Sequence, residues 1–359
     1  MMRLPRFAYH VPGSVAEAVT LKAESPPEAA YVAGGTDLYP NMKRRHQMPP
    51  VLIGLHGVEE IRGIEVRSDG GFTIGAATTL TEIAEDRRVQ ETYPSLAATM
   101  RLISTPILQN MGTIGGNLLL DTRCNYYDQN YEWRKAIHFC MKKDGEICWV
   151  APSSPRCWAV QSSDCAPVMV AIGAKVKLVS SSGGHLSERL IPAAELYNDD
   201  GIQHLNKRPD ELLTEIHLPA VDTNGSNGNG WRATYWKLRR RGSFDFPVLG
   251  VAAWLRLAGD GTVEAARIIL GGVGSHPIEA RVSEQAILGK KLDEETIEQA
   301  AAAAYPTAKP LDNTDFAMSW RKDMARYYVS GTLRELAGLP PRFPKTGGGN
   351  GAGLRVLSD

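Results

Sequence analysis

Ala30-Tyr31-Val32-Ala33-Gly34-Gly35-Thr36-Asp37-Leu38 is the stretch on which the fold turns. Ala30 to Ala33 read as a short strand, and the strand runs straight into two successive glycines. Paired glycines let the backbone take positive φ and come close to a ligand. Successive N–H groups in such a turn form an anion nest, and phosphate oxygens suit that nest. The plain alternative is a strand-to-helix turn with no ligand. A second loop of the same kind, Gly112-Thr113-Ile114-Gly115-Gly116-Asn117, adds a hydroxyl and a carboxamide beside its glycines. Two such loops, each where a strand or helix ends, read as a pair of jaws on one diphosphate, so a nucleotide-type cofactor is expected. Neither loop is a G-x-G-x-x-G opening a helix or a G-x4-G-K-[ST]. That argues against a Rossmann NAD site and a P-loop.

Around these loops the chain alternates strand and helix. Ser14, with Glu17 three residues on, predicts a capped helix over 14–24. Pro50–Leu55 and Gly71–Ala76 read as strands, Thr79–Glu85 as a helix with a capping box, and Pro94–Ile103 as an apolar helix. This alternation indicates an α/β part.

Between Asn117 and Asp164 the regular pattern stops. The segment holds Cys124, Cys140, Cys148 and Cys157 in the spacing C-x15-C-x7-C-x8-C, with Cys165 just after it. It is rich in turn formers and aromatics, and too irregular to build a large core of its own. A staple is expected. Disulfides need an oxidising compartment, and an odd number of cysteines argues against them. Zinc prefers short C-x2-4-C pairs, which are absent. An iron–sulfur cluster takes four soft thiolates at longer spacings. The bland alternative is four ordinary buried cysteines.

Charge is balanced, 40 basic against 40 acidic residues, which excludes a polybasic nucleic-acid or membrane-surface protein. No apolar run reaches the length of a membrane span. Met1–Tyr9 has neither an apolar signal core nor a twin-arginine pair, so the cytoplasm is the expected location. Regular structure resumes at Ala166–Leu178, and Ser180-Ser181-Ser182-Gly183-Gly184 suggests a domain boundary. The expected units are 1–180, with the cysteine insert at 118–163, then 185–338, then a flexible tail at 339–359. Glu211–Pro219 reads as a strand. Trp231–Arg240, Val248–Leu257 and Ala265–Leu270 read as neighbouring strands or as a helix between strands; periodicity leaves this open. In Lys237-Leu238-Arg239-Arg240-Arg241, alternation points Lys237 and Arg239 one way and Leu238 the other, and a solvated edge is the simpler reading. Residues 293–305 and 320–336 read as helices.

The loops Ala33-Gly34-Gly35-Thr36-Asp37 and Thr113-Ile114-Gly115-Gly116-Asn117, with Ser163-Asp164-Cys165-Ala166-Pro167, resemble the signatures of the FAD-binding medium subunit of the molybdenum hydroxylases, the xanthine dehydrogenase family. The resemblance spans roughly residues 5–338. It implies an α+β architecture: a two-part FAD-binding domain of the PCMH/vanillyl-alcohol-oxidase type, then a CO-dehydrogenase-flavoprotein-like C-terminal α+β domain. It implies that Tyr31, Val32, Ala33, Gly34, Gly35, Thr36, Asp37 and Leu38, with Thr113, Ile114, Gly115, Gly116 and Asn117, hold the FAD diphosphate. Asp164 is then expected at the ribose or adenine side, Leu213 against the cofactor, and Lys237 near the isoalloxazine.

The resemblance implies a step of about ten residues from the second loop to the Ser-Asp pair, whereas here the step from Asn117 to Asp164 takes 47. A four-cysteine insert at this place, led by Asp121-Thr122-Arg123-Cys124, resembles the β-subunit branch of the 4-hydroxybenzoyl-CoA reductases. There it carries a [4Fe–4S] cluster, here expected on Cys124, Cys140, Cys148 and Cys157. Flavin subunits of certain bacterial aldehyde oxidoreductases carry such an insert at a different spacing. Cys165 departs from the family's leucine and is expected to be structural.

The resemblance implies an electron-transfer subunit that does no bond chemistry on the organic substrate. Its expected partners are a large molybdopterin-containing subunit and a small [2Fe–2S] subunit, in a dimer of heterotrimers. Ferredoxin or a similar carrier is expected to feed the cluster in the reductase reading, and the flow reverses in the aldehyde reading. No Ser/His/Asp set or paired carboxylates stand out, which fits a relay. Two other classes stay open: a self-sufficient flavin oxidoreductase, and a zinc-stapled binding protein.

Overall fold

The computed structural model describes residues 3–221, 230–242 and 244–342. The glycine-rich loop at 222–229, and the expected flexible tail beyond residue 342, lie outside the described residues.

Three sheets organise the chain. A parallel one sets Val51–Gly54 between Ala8–His10 and Ala30–Val32. An antiparallel five-stranded sheet runs in the order Ile64–Val66, Phe72–Gly75, Leu212–Leu218, Lys175–Ser182, His185–Pro192. An antiparallel four-stranded sheet runs Ile278–Glu279, Val263–Gly271, Leu249–Leu257, Gly230–Leu238. The architecture is α+β in two parts, as expected. The segments that periodicity left open are three adjacent strands.

The reason for that ambiguity is burial on both faces. Along Leu249–Leu257, Ala252 and Trp254 face one core, while Val251, Ala253 and Leu255 face another. A doubly covered strand shows no alternation. The second core is closed by the helices Glu294–Thr307 and Met318–Ala337. The first includes the helix Cys165–Ile172, which packs on Leu249–Leu257 and Val263–Gly271 and shares one core cluster with Val176, Leu178, Leu213 and Ile216 of the five-stranded sheet. Its buried Val168, Met169 and Ile172 each contribute on the order of 1.5–3 kcal/mol.

Local signals held. Ser14 accepts from the Glu17 N–H, and Thr79 with Glu82 forms both halves of a capping box. The domain boundary expected at 180–185 falls instead inside a hairpin. Lys175–Ser182 and His185–Pro192 pair across it, with Gly183 and Gly184 both at positive φ. Leu212–Leu218, expected in the C-terminal unit, pairs with Phe72–Gly75 and Lys175–Ser182. A two-glycine turn joins paired strands as readily as it separates domains.

One buried acid makes the C-terminal unit sensitive to pH. The Glu284 carboxylate accepts from the Ile268 N–H at 2.7 Å, and burial pushes its carboxyl up to about 7. A carboxyl with a raised folded-state pKa binds its proton more tightly when folded. Stability is therefore full below the unfolded value and falls as pH rises toward 7. Between pH 5 and 8 the chain should lose about 2–3 kcal/mol that Glu284→Gln does not lose. Denaturant melts of both proteins at several pH values check this; parallel curves would rule it out.

Candidate functional site: two glycine turns and a thiol pocket

The two glycine loops meet backbone to backbone. A Cβ on Gly34 would lie 1.7 Å from the Met111 carbonyl oxygen, and one on Gly112 would lie 3.6 Å from the Thr36 hydroxyl. Gly35 sits at φ +68°, a conformation that favours glycine. Tyr31, Val32 and Ala33 deliver the chain into this turn, with Val32 buried beside Met42 and Leu52. Leu38 opens the helix Leu38–Lys43 on its far side.

The loops are not equivalent jaws. In the second, Thr113 caps the helix Ile114–Leu118 and accepts from the Gly116 N–H at 3.1 Å. Ile114 N–H donates to Thr78, Gly115 to Ala76 and Asn117 to Thr113. A Cβ on Gly115 would lie 2.8 Å from the Ala76 carbonyl oxygen, so packing alone requires that glycine. In the first turn, the N–H groups of Gly34, Gly35, Thr36, Asp37 and Leu38 meet no protein acceptor among the described residues. A run of free N–H groups is a fit for an anion such as a diphosphate. Gly34→Ala should drive the two loops apart, since backbone cannot rotate away, and weaken FAD binding at least tenfold in a fluorescence titration. Retained affinity would show that the loops can separate harmlessly.

Asn117 also joins the two ends of the insert. Its side-chain oxygen accepts from the Ser163 hydroxyl at 2.7 Å and the Cys165 N–H at 3.1 Å. The insert thus leaves and re-enters the domain at one hydrogen-bonded point. Leu213 is buried in the first core with Ile114 and Cys165.

Asp164 and Lys237 were expected at separate parts of a dinucleotide, and the structure corrects this. Their buried side chains form an ion pair at 2.8 Å. Tyr235 donates to the other Asp164 oxygen at 2.7 Å, and Lys237 donates to the Leu102 carbonyl at 3.0 Å. Burial, opposed by the Asp164 charge, holds the Lys237 ammonium below its ordinary range. Burial and then the Asp164 charge push the Tyr235 phenol up. The edge reading of the basic cluster fails at Lys237, because the strand Gly230–Leu238 packs on the helix Pro94–Leu102 and carries the lysine inward to Asp164. Tyr235 was missed; its signal was its place two residues before Lys237 on one strand face.

The four spaced cysteines converge. Cys124, Cys140, Cys148 and Cys157 all line one small pocket, with Tyr126, Tyr127, Met141, Lys142, Trp149 and Val150. Cys124, Cys140 and Cys157 also sit in the insert's small core, with Tyr127 and Ala159. Burial pushes the Cys124 thiol up to about 12 and the Cys157 thiol up to about 11. Among the described residues, no three Cys, His or carboxylate groups close on a point that would hold a single ion. Cys165 lies away from the pocket, in the first core.

Nearby charge is arranged around the pocket. Lys142 donates to Asp121, Thr122 and the Gly201 carbonyl, each at 2.8 Å. Arg134 is fully buried, none of its three guanidinium nitrogens has a hydrogen-bond partner, and the Asp144 carboxylate lies 3.6 Å away. The short helix Tyr131–Ala136 that carries it was not foreseen.

Fold and site together define a two-part flavoprotein. The chain belongs to the family described as the FAD-binding domain in molybdopterin dehydrogenase, which matches residues 5–221, and the CO dehydrogenase flavoprotein C-terminal domain matches residues 233–336. It is 29% identical over 330 residues to the carbon monoxide dehydrogenase medium chain of Hydrogenophaga pseudoflava, covering 92% of this chain and 96% of that one. It is 32% identical over 312 residues to the aldehyde oxidoreductase FAD-binding subunit PaoB of Escherichia coli K12, covering 84% and 92%. The solved carbon monoxide dehydrogenase of Hydrogenophaga pseudoflava superposes with a TM-score of 0.74 at 28% identity, covering 92% of this chain and 97% of that one. These relatives are subunits of oxidoreductases. No helix of the described residues is long and apolar enough to cross a membrane.

Proposed function

We propose that this chain is the FAD- and iron–sulfur-carrying electron-transfer subunit of a cytoplasmic molybdenum hydroxylase-type complex that oxidises an aldehyde. The observation that carries the relay is the convergence of four thiols on one pocket, inside an insert hinged beside the glycine turns. FAD exchanges electrons in pairs or singly, and an iron–sulfur cluster passes them singly. In this reading Cys124, Cys140, Cys148 and Cys157 hold a [4Fe–4S] cluster, and residues 31–38 and 113–117 hold FAD. Asp164, Leu213 and Lys237 line the same cofactor site, Asp164 and Lys237 acting as one pair.

Two points support a cluster over zinc. The cysteine spacing lacks the short C-x2-4-C pairs that zinc prefers. A four-iron body spreads its four thiolates around a larger volume. The aldehyde reading rests on the match to the aldehyde oxidoreductase subunit. The cysteine spacing favours a second reading, the β subunit of 4-hydroxybenzoyl-CoA reductase fed by ferredoxin. Both place a molybdopterin-containing subunit and a small [2Fe–2S] subunit beside this one.

The test is expression with and without its gene neighbours. The chain alone should contain FAD and about four irons and oxidise no aldehyde. The assembled complex should oxidise aldehydes with an artificial acceptor. Reduction of 4-hydroxybenzoyl-CoA by reduced ferredoxin, with no aldehyde turnover, would select the second reading. A colourless chain holding zinc would sink both.

A further inference from the structure

We infer that Arg123, which belongs to the insert, is the positioning residue that lets the first glycine turn accept a diphosphate, by neutralising Asp37. The inference rests on the reading above that residues 34–38 hold the FAD diphosphate.

Asp37 sits among the free N–H groups of that turn. Its carboxylate, left bare, would oppose any anion arriving there. Both of its oxygens are occupied. One accepts from the Arg123 guanidinium, and the other accepts from the Asn41 carboxamide at 3.0 Å. Arg123 is itself held through its two terminal nitrogens and by an aromatic ring. It reaches Asp128 at 3.4 Å and the Asn41 side-chain oxygen at 3.5 Å, and its guanidinium carbon lies 4.6 Å from the centre of the Phe246 ring. Its backbone exchanges two hydrogen bonds with Val160, at 2.8 and 2.7 Å, on the returning limb of the insert. The planar fork reaches Asp37, Asp128 and Asn41 from one rigid plane, a geometry that an ammonium on a flexible stem does not fix.

The consequence joins the two centres. Cys124, the next residue, lines the thiol pocket. Closure of the insert therefore sets the position of the cation on which the flavin turn depends.

A double-mutant cycle on the full chain tests it, with FAD affinity read by fluorescence titration and iron read separately. Arg123→Gln should weaken FAD binding at least tenfold. In the Asp37→Asn background the same change should cost no more than about twofold, because no bare carboxylate remains. Arg123→Lys should recover part of the loss. Circular dichroism shows whether each variant is folded. An Arg123→Gln protein within about twofold of the parent overturns the inference. So does an equal loss in both backgrounds, which would make Arg123 a merely structural brace. A chain that shows this pattern but holds no iron supports the inference and sinks only the cluster reading. A chain that binds no FAD overturns the diphosphate reading along with this one.

Discussion

Cys140→Ser should leave the protein with its FAD and without its iron. Cys140 lies in a tight turn: its carbonyl accepts from the Lys143 N–H at 2.9 Å and the Gly145 N–H at 3.1 Å. The thiol is thereby delivered to the pocket by backbone that a serine would leave in place. A serine oxygen is a poor substitute for a soft thiolate, and a cluster held by three thiolates is easily lost. Iron should fall from about four per chain to less than about one, and transfer through the cluster by at least about a hundredfold. FAD should stay, because the flavin turn is tied to the insert through Arg123 and Val160, not through Cys140. Iron analysis, the visible spectrum and FAD released on denaturation read all three. If FAD fell in step with iron, the insert and the flavin turn would form one folding unit.

Lys237→Met should be the most destabilising single change. It leaves the Asp164 carboxylate buried, with the Tyr235 hydroxyl as its remaining side-chain donor at 2.7 Å. Removing one member of a buried ion pair costs about 3–5 kcal/mol, mostly for the charge left behind. Adding Asp164→Asn removes that charge and should return more than half of the loss. Equilibrium denaturation of the four proteins measures the coupling. A cost below about 1 kcal/mol for Lys237→Met would show that water reaches the pair.

Local signals were the legible part of this fold. Caps, glycine turns and strand ends follow from chemistry within a few residues, and Ser14, Thr79 and the two glycine loops lay where the pattern put them. The convergence of four cysteines was also legible, because crowding them in an irregular segment left few other uses. The pairing of Asp164 with Lys237 was not, since those residues are 73 apart and meet only when helix and sheet pack. Nor was the difference between the glycine loops. Whether an N–H is free depends on Ala76 and Thr78, which neighbour the second loop only in space. The misplaced boundary has the same origin: Gly183-Gly184 carries no mark of the partners its flanking strands find.

The single hydrogen-bonded junction at Asn117 and Ser163 has a consequence for ancestry and engineering. A segment whose two ends already touch can be spliced in or cut out while the host's route through space is unchanged. An electron inlet of this kind is portable cargo. The seams that would need re-tailoring after its removal include the acidic spot at position 37 and the groups of His46, Gln47, Gly201 and Asn313 that now bond the insert.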